Sequence, residues 1–311
     1  MYKLFFTIAA CVLPTFAANN FYGIATANSI GGTGSYTCRS QAQWNTLAKD
    51  AKNSGFKSIR VTGFDCDALA RASSAAAANG LKVLAGIYVS GSIAGAINQI
   101  NNEVQLFRSA YGVYGAGRYE GLTIGNEVND SAGNIMNKVY DVRGTYNTRC
   151  HRCIADPQLM RTGYLKSVGV TTPVSTVHTW VAIRDNPALC GADFVGANAH
   201  AFYDGNRNSG QAGDFVLKTV IPALKAKCPG KKIYITETGW PSRGNRFGSS
   251  AVASINDERT ALQRLNCAAR DDRSVSLYAF EYDDQNWKGN DNERSFGIFP
   301  KFDLNDVFSS C

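Results

Sequence analysis

Two glutamates occupy matching places in the sequence, each at the end of a short run of apolar and β-branched residues. Glu127 ends the run 122–127 and Glu237 lies within the run 233–241, so both follow residues that proteins bury. Burying a carboxylate is costly unless the group has a partner or a chemical task. Two carboxyl groups about 5–5.5 Å apart can break a glycosidic bond with retention of configuration, one as nucleophile and one as proton donor. The alternative is that each glutamate only pairs with an arginine or caps a loop.

Eight β-rich runs follow one another along the chain, and several are separated by segments of helical composition. The runs are Phe21–Thr26, Ser58–Gly63, Lys82–Ile87, Tyr119–Glu127, Pro173–Trp180, Phe194–Tyr203, Lys232–Trp240 and Ser274–Tyr282. The clearest helical segments are Ser40–Asn53, Asp65–Asn79, Gly213–Lys227 and Ser250–Arg270. The connection Val181–Asp193 is short and gives little sign of a helix.

This alternation predicts the fold class. Strands that alternate with helices form a parallel sheet with the helices outside. Eight such units within 311 residues predict an α/β protein with a closed (β/α)8 TIM barrel, as a single domain over residues 19–311. The chemistry of such a barrel lies at the carboxyl ends of its strands. Because strands four and seven lie on facing sides, Glu127 and Glu237 can approach each other across the barrel mouth.

Other chemistries have less support in the sequence. The net charge of +7 is spread over scattered Lys and Arg residues, so no nucleic-acid partner is expected. The run 31–34 is rich in glycine, but no helix start follows it, so it does not indicate a phosphate loop. The three histidines and the Cys150–Cys153 pair lack the spacing of metal ligands. Since two carboxylates suffice for glycosidic cleavage, neither a metal nor a cofactor is expected.

The first 18 residues have the layout of a secretory signal peptide. Lys3 precedes the apolar run Leu4–Leu13, and small residues follow at Ala17 and Ala18. The apolar run is shorter than the roughly 20 residues that cross a membrane, and no later stretch is apolar enough. We therefore expect a secreted, extracellular or cell-wall protein without a transmembrane segment, and a monomer.

Eight cysteines remain after residue 18, and an oxidising compartment makes disulfides their expected state. Their pairing cannot be read from the sequence. These cysteines are Cys38, Cys66, Cys150, Cys153, Cys190, Cys228, Cys267 and Cys311.

Residues 145–163 interrupt a helical pattern. The apolar stripe of the fourth helix ends at Val142, and deleting 145–163 places Leu165 and Val168 four and seven positions later, in phase. One hypothesis is a retained intron or gene-model artefact, which a spliced message lacking these codons would settle. The alternative is a real loop on the outside or far side of the barrel, with Cys150 and Cys153 bonded locally.

Four motifs of the sequence match a known family. They are Phe21-Tyr22-Gly23-Ile24, Ile124-Gly125-Asn126-Glu127-Val128, Ala197-Asn198-Ala199-His200-Ala201-Phe202-Tyr203 and Thr236-Glu237-Thr238-Gly239-Trp240-Pro241-Ser242. With these motifs the sequence resembles glycoside hydrolase family 17, and within it the fungal cell-wall β-1,3-glucanases and glucanosyltransferases, over essentially the whole chain after residue 18. The resemblance implies that Glu127 is the acid/base, Glu237 the nucleophile and Asn126 a ligand of the sugar 2-hydroxyl.

Further substrate contacts are expected from residues near the strand ends. An aromatic ring can cover the C–H face of a pyranose, although each such ring could instead pack in the core. Three charged residues after strand eight resemble a cluster in the family, and surface salt bridging is their alternative. The candidates are Tyr22, Trp180, His200, Phe202, Tyr203, Trp240, Glu281, Asp284, Trp287 and Lys288.

Three functions compete on this sequence. The resemblance favours a cell-wall glucanosyltransferase that cleaves β-1,3-glucan through a glycosyl-enzyme and transfers the fragment to an acceptor glucan. An endo-β-1,3-glucanase would use the same residues, with water as the acceptor. A glucan-binding wall protein without activity would be expected to lack one of the two carboxylates, and both are present.

Overall fold

The computed structural model describes residues 19–144, 165–309 and 311. Eight parallel strands form a closed barrel in chain order, and the last pairs with the first. The expected (β/α)8 barrel is therefore confirmed. The strands are β1 (Gly23–Thr26), β2 (Ser58–Val61), β3 (Lys82–Ile87), β4 (Tyr119–Asn126), β5 (Val174–Thr179), β6 (Val195–Asn198), β7 (Ile233–Thr238) and β8 (Val275–Ala279).

Helices surround the barrel and pack their apolar stripes against the outer faces of the strands. In α1, for example, Trp44, Leu47 and Ala51 recur at helical spacing and are fully buried. The helix begins where Ser40 accepts the backbone N–H of Gln43 in a capping box. The helices are α1 (Gln41–Asn53), α2 (Ala68–Ala78), α3 (Ile97–Tyr114), α4 (Ala132–Arg143), α5 (Trp180–Asp185), α6 (Ala212–Phe215), α7 (Ile221–Lys227), α8 (Ile255–Asp271) and α9 (Leu304–Phe308).

Two connections differ from the expectation. The segment 181–193 does contain helical structure, because Thr179 caps α5 by accepting the N–H of Ala182 and a 3-10 turn, Pro187–Gly191, follows. The single helix expected over 213–227 is interrupted between α6 and α7 by the π-helical stretch Val216–Val220. Both features lie outside the barrel wall and leave the strand order unchanged.

A buried carboxylate closes the amino-terminal end of the barrel. Glu120, near the start of β4, accepts hydrogen bonds from the hydroxyls of Tyr22 and Tyr234 and pairs with Lys82 at 2.8 Å. Tyr22 precedes β1, so it lies at the end of the barrel opposite the strand ends that carry the two glutamates. The structure thus places the substrate-contact candidate Tyr22 away from the two glutamates, with its hydroxyl on Glu120 and its ring against Tyr278.

Among the residues that the structure describes, three disulfides join loops and helices around the barrel. Cys38–Cys66 ties the β1–α1 loop to the β2–α2 loop, Cys190–Cys228 ties the turn after α5 to the end of α7, and Cys267–Cys311 ties α8 to the chain end. The expected disulfide state holds for these six cysteines. The predicted signal peptide at 1–18 and the segment 145–163, with Cys150 and Cys153, lie outside the described residues. In the described part of the chain, no helix is long and apolar enough to cross a membrane.

We expect the Cys38–Cys66 disulfide, which joins the loops after β1 and β2, to stabilise the folded protein. It closes a loop with a sequence separation of 28 residues. Replacing both cysteines by serine should lower the free energy of unfolding by about 3 kcal/mol, since the unfolded chain regains the freedom that the link removes. Equilibrium urea denaturation measures the change, with Ser35→Ala in the same loop as a control expected to stay within about 0.5 kcal/mol. An unchanged midpoint for the double variant would contradict the prediction.

Candidate active site

Glu127 and Glu237 line one cavity at the carboxyl ends of the strands. The cavity has a volume of about 430 Å³, and Asn198 and His200 line it together with the two glutamates. The strand pairings shift register near the ends of β4, β6 and β7, where Asn126, Asn198 and Glu237 lie. Such irregularities redirect side chains next to functional sites. The barrel therefore brings together the two carboxylates that the sequence places far apart.

The backbone at Glu127 adopts an unusual conformation. Its φ angle is 53°, in the left-handed region that a residue with a Cβ rarely adopts. Gly125 precedes it with φ 81°, and a Cβ there would lie 2.1 Å from Cγ2 of Val128. The N–H of Glu127 donates to the carbonyl of Val177 at 2.8 Å, which holds the turn against β5. Strained backbone that is held in this way is typical of functional sites.

Glu237 is kept ionised by a buried cation. Nη1 of Arg60, on β2, lies 2.5 Å from Oε1 of Glu237, and Arg60 is only 2% exposed. Nε2 of His200 lies 3.5 Å from the other carboxylate oxygen. Burial alone would raise the pKa of Glu237, but the charge of Arg60 and the contact with His200 lower it to about 2. Glu237 is therefore a carboxylate over the whole physiological range.

The pKa of Glu127 is shifted in the opposite direction. Burial raises its pKa, and the negative charge of Glu237 raises it further. Nδ2 of Asn198 donates to Oε1 of Glu127 at 2.8 Å, and the hydroxyl of Thr236 donates to Oδ1 of Asn198 at 2.7 Å, which fixes the orientation of the amide. One carboxyl group thus keeps its proton to a higher pH than an ordinary glutamate, beside another that stays ionised. Pairs whose environments separate their pKa values in this way can divide acid and nucleophile roles.

Asn126 is oriented by the same residues. Its Oδ1 accepts from Nη2 of Arg60 at 2.7 Å and from Nδ2 of Asn198 at 3.2 Å. Because both bonds use the amide oxygen, the amide nitrogen is left to donate toward a ligand. The side chain is thus set as a hydrogen-bond donor next to the two carboxyl groups.

Aromatic side chains form the walls of the cavity, but only two of the expected ones take part. Trp180, the first residue of α5, and Tyr203, in the turn after β6, line it together with Phe215, Phe280 and Phe296. Two other candidates are buried in the core.

Phe202 and Trp240 are completely buried, with ring centroids 5.2 Å apart, and the indole N–H of Trp240 donates to the carbonyl of Val252 at 2.8 Å. The structure thus places these two sugar-contact candidates in the core and not among the residues lining the cavity. Phe202 also packs against Phe247 in the loop after β7, with ring centroids 6.0 Å apart, so the buried rings support these loops.

The four candidates after β8 lie beside the cavity rather than among the residues lining it. Glu281 is buried and pairs with Lys288 at 2.6 Å, and burial raises the pKa of Glu281 to about 7 despite the lysine. Nζ of Lys288 lies 4.9 Å above the ring of Phe280, which does line the cavity. Asp284 pairs with Arg243 and Lys301, so it holds loops together. The ring of Trp287 packs edge-on against Tyr36 with centroids 4.8 Å apart.

Arg60 and Asn198 are the residues that sequence analysis missed. An arginine within a strand of apolar neighbours is a usable signal, since Arg60 shares the inward face of β2 with Ser58 while Ile59 and Val61 face the helices. Asn198 lies in a motif that was used only to recognise the family. In the described part of the chain, no group of three His, Cys, Asp or Glu side chains is placed to hold a metal ion.

The chain is similar in sequence to known proteins. The chain matches the BtgE/BtgC glycoside hydrolase domain over residues 28–297. It is 30% identical to the probable family 17 glucosidase SCW10 of Saccharomyces cerevisiae, over 81% of this chain and 58% of that protein. It is 31% identical to the cell surface mannoprotein MP65 of Candida albicans, over 84% and 63%. The chain therefore belongs to the BtgE/BtgC glycoside hydrolase domain family, and the resemblance to glycoside hydrolase family 17 is confirmed.

Solved structures agree on the fold. A β-1,3-glucanosyltransferase of Rhizomucor miehei, an active-site mutant in complex with laminaritriose, superposes with a TM-score of 0.70 at 20% identity, over 92% of this chain and 97% of that one. At this identity the likeness concerns the fold. The chain spans less than two thirds of the length of the two curated relatives named above.

The charge coupling of the two glutamates can be tested without substrate. In a Glu237→Gln variant, the pKa of Glu127 should fall relative to the wild type, because the repelling charge is gone while Arg60 stays cationic. Carboxyl-detected NMR titration with 13C-labelled glutamate measures it. Glu103→Gln on the outer helix α3 is the control and should leave the titration of Glu127 unchanged. A pKa of Glu127 that stays constant or rises in Glu237→Gln would show that the two groups do not interact.

Proposed function

We propose that this protein is a retaining cell-wall enzyme that cleaves β-1,3-glucan through a covalent glycosyl-enzyme and transfers the fragment to an acceptor glucan. The observation that carries the proposal is a pair of carboxyl groups in one cavity whose pKa values are shifted in opposite directions. Glu237 is held ionised by Arg60, and Glu127 is pushed toward its protonated form. A glycosidic bond needs an anion on one side and a proton donor on the other.

In the first step, Glu237 attacks the anomeric carbon while Glu127 gives its proton to the departing glycosidic oxygen. The bond from sugar to leaving group breaks, and an ester bond from sugar to Glu237 forms. Arg60 stabilises Glu237 before attack and loses that ion pair as the carboxylate charge is consumed. The amide nitrogen of Asn126 is placed to donate to a sugar hydroxyl, a contact that strengthens in the transition state.

In the second step, Glu127 acts as a base. With Glu237 esterified, the charge that raised the pKa of Glu127 is absent, so this group now favours its ionised form. It takes the proton of an incoming hydroxyl as that oxygen attacks the anomeric carbon, and Glu237 leaves as a carboxylate again. Two inversions at one carbon give net retention.

The choice of β-1,3-glucan rests on the relatives. The Saccharomyces cerevisiae relative is a probable family 17 glucosidase, the Candida albicans one is a cell surface mannoprotein, and the Rhizomucor miehei structure is a β-1,3-glucanosyltransferase in complex with laminaritriose. An extracellular place at the cell wall also suits the three disulfides.

An endo-β-1,3-glucanase is the second candidate, since water can replace the acceptor sugar without any change in the residues. Transfer is favoured here by the aromatic wall on the β5–β6 side of the cavity, where Trp180 and Tyr203 offer contact area for a second glycan. A purely binding role is disfavoured because the chain carries both carboxyl groups and they line one cavity.

The proposal predicts the outcome of a product time course with β-1,3-linked glucan oligosaccharides. The wild type should yield products longer than the substrate, with the β configuration retained. Glu237→Gln and Glu127→Gln should each lower the rate by at least about 100-fold, since each removes a group that acts in the transition state. Chromatography of the products and NMR of the new anomeric centres measure both.

Glu103→Gln removes a carboxylate outside the site and serves as the matched control, with an unchanged rate expected. Only shorter products would favour the hydrolase. An intact substrate in the presence of folded, glucan-binding wild-type protein would contradict the proposal.

A further inference from the structure

The acceptor side of the cavity can be assigned from the position of the proton donor. Glu127 follows β4, and its Oε1 accepts a hydrogen bond from Nδ2 of Asn198 at the end of β6, so the proton donor lies on the β4–β6 side of the cavity. The cavity reaches Trp180 after β5 and Tyr203 after β6 on this side. In the proposed reaction the leaving glycan departs past Glu127 and the acceptor approaches past it, because Glu127 protonates the one and deprotonates the other.

Two exposed aromatic rings continue the cavity wall on this side. Tyr203 lines the cavity and is 37% exposed, and Phe247, in the loop after β7, is 44% exposed. Their ring centroids lie 5.3 Å apart in an edge-on arrangement. The surface is therefore continuous with the site and extends the apolar wall by one ring beyond it.

Phe247 is held in place although its ring is exposed. Its N–H donates to the carbonyl of Ala251 at 2.9 Å, and the N–H groups of Ser249 and Ser250 donate to the carbonyl of Gly205 at 3.0 Å each. Gly248 has φ 59°, and a Cβ there would lie 2.5 Å from the oxygen of Gly205, so only glycine lets the two loops approach this closely. The backbone that carries the ring is therefore fixed, so binding costs little loop freedom, which favours a ligand contact.

The chemistry of the wall suits a glucan chain. Aromatic rings offer an apolar face to the C–H groups of a pyranose. The hydroxyl of Tyr203 donates to Glu293, whose carboxylate also lines the cavity and can accept hydrogen bonds from sugar hydroxyls. The aromatic faces suit the C–H groups of a β-linked glucan, and the carboxylate oxygens beside them suit its hydroxyl groups.

We propose that Tyr203 and Phe247 form an acceptor wall that binds a sugar unit of the incoming glucan, and that Phe247 thereby sets how often the glycosyl-enzyme is resolved by transfer rather than by water. This inference rests on the proposed function. Transfer competes with hydrolysis at one intermediate, so a contact made only by the acceptor changes the ratio of the two products.

The test measures that ratio in the full chain. A β-1,3-glucan oligosaccharide serves as donor and a fluorescently labelled β-1,3-glucan oligosaccharide as acceptor, at a series of acceptor concentrations. Labelled products longer than the acceptor report transfer, and new reducing ends report hydrolysis. In Phe247→Ala the ratio of transfer to hydrolysis should fall at least about threefold, the loss expected for one aromatic contact, with a higher acceptor concentration needed for half-maximal transfer.

Two further variants separate binding from structure. Phe247→Tyr keeps an aromatic ring and should keep the wild-type ratio. Leu106→Ala removes an exposed apolar side chain on α3, 53% exposed, far from the strand ends in sequence, and should not change the ratio. A partly unfolded variant loses both products in proportion, so the ratio is insensitive to folding. An unchanged ratio in Phe247→Ala overturns the inference and leaves the proposed function standing. A wild type that cleaves no donor overturns both.

Discussion

A buried guanidinium determines the charges of the site. Arg60 is 2% exposed, at the inner face of β2, and its two terminal nitrogens contact Glu237 and Asn126. A cation in this position is costly unless it is paired, and Glu237 supplies the countercharge. The pair keeps Glu237 ionised, and that charge in turn raises the pKa of Glu127. Removing Arg60 would therefore disturb the nucleophile, its neighbouring amide and the proton donor together.

Most of the fold follows from local sequence patterns. All eight strands lie within the predicted β-rich runs. The alternation of these runs with helices also predicts the parallel barrel and its strand order. The runs overshoot at β5, β6 and β7, where Trp180, Tyr203 and Trp240 lie beyond the last hydrogen-bonded residue. At these ends the chain stays aromatic and apolar while it leaves the sheet, so composition does not mark the boundary. The short helix α5 depends on a single threonine cap, which a periodicity argument does not detect.

A site residue can be predicted from the sequence only where its own type and position indicate its role. Glu127 and Glu237 stand out as carboxylates at strand ends, and the barrel topology brings them together. Arg60 is noticeable as an arginine within an apolar strand, but its role depends on which face of β2 it occupies and on β7 across the barrel. The aromatic candidates are also hard to tell apart from sequence, since Trp240 and Tyr203 both end a predicted β-rich run. Only packing decides that Trp240 supports the loops while Tyr203 faces the cavity.

The central claim is that Glu237 forms a covalent bond to the sugar, and trapping that bond tests it most directly. A 2-deoxy-2-fluoro β-glucosyl or β-laminaribiosyl fluoride forms the glycosyl-enzyme but slows its breakdown, because the fluorine destabilises the oxocarbenium-like transition state. Intact-mass spectrometry and peptide mapping should find one glycosyl group per chain, on Glu237, and none in Glu237→Gln. Complete absence of an adduct, or an adduct on Glu127, Glu281 or Glu293, would contradict the account.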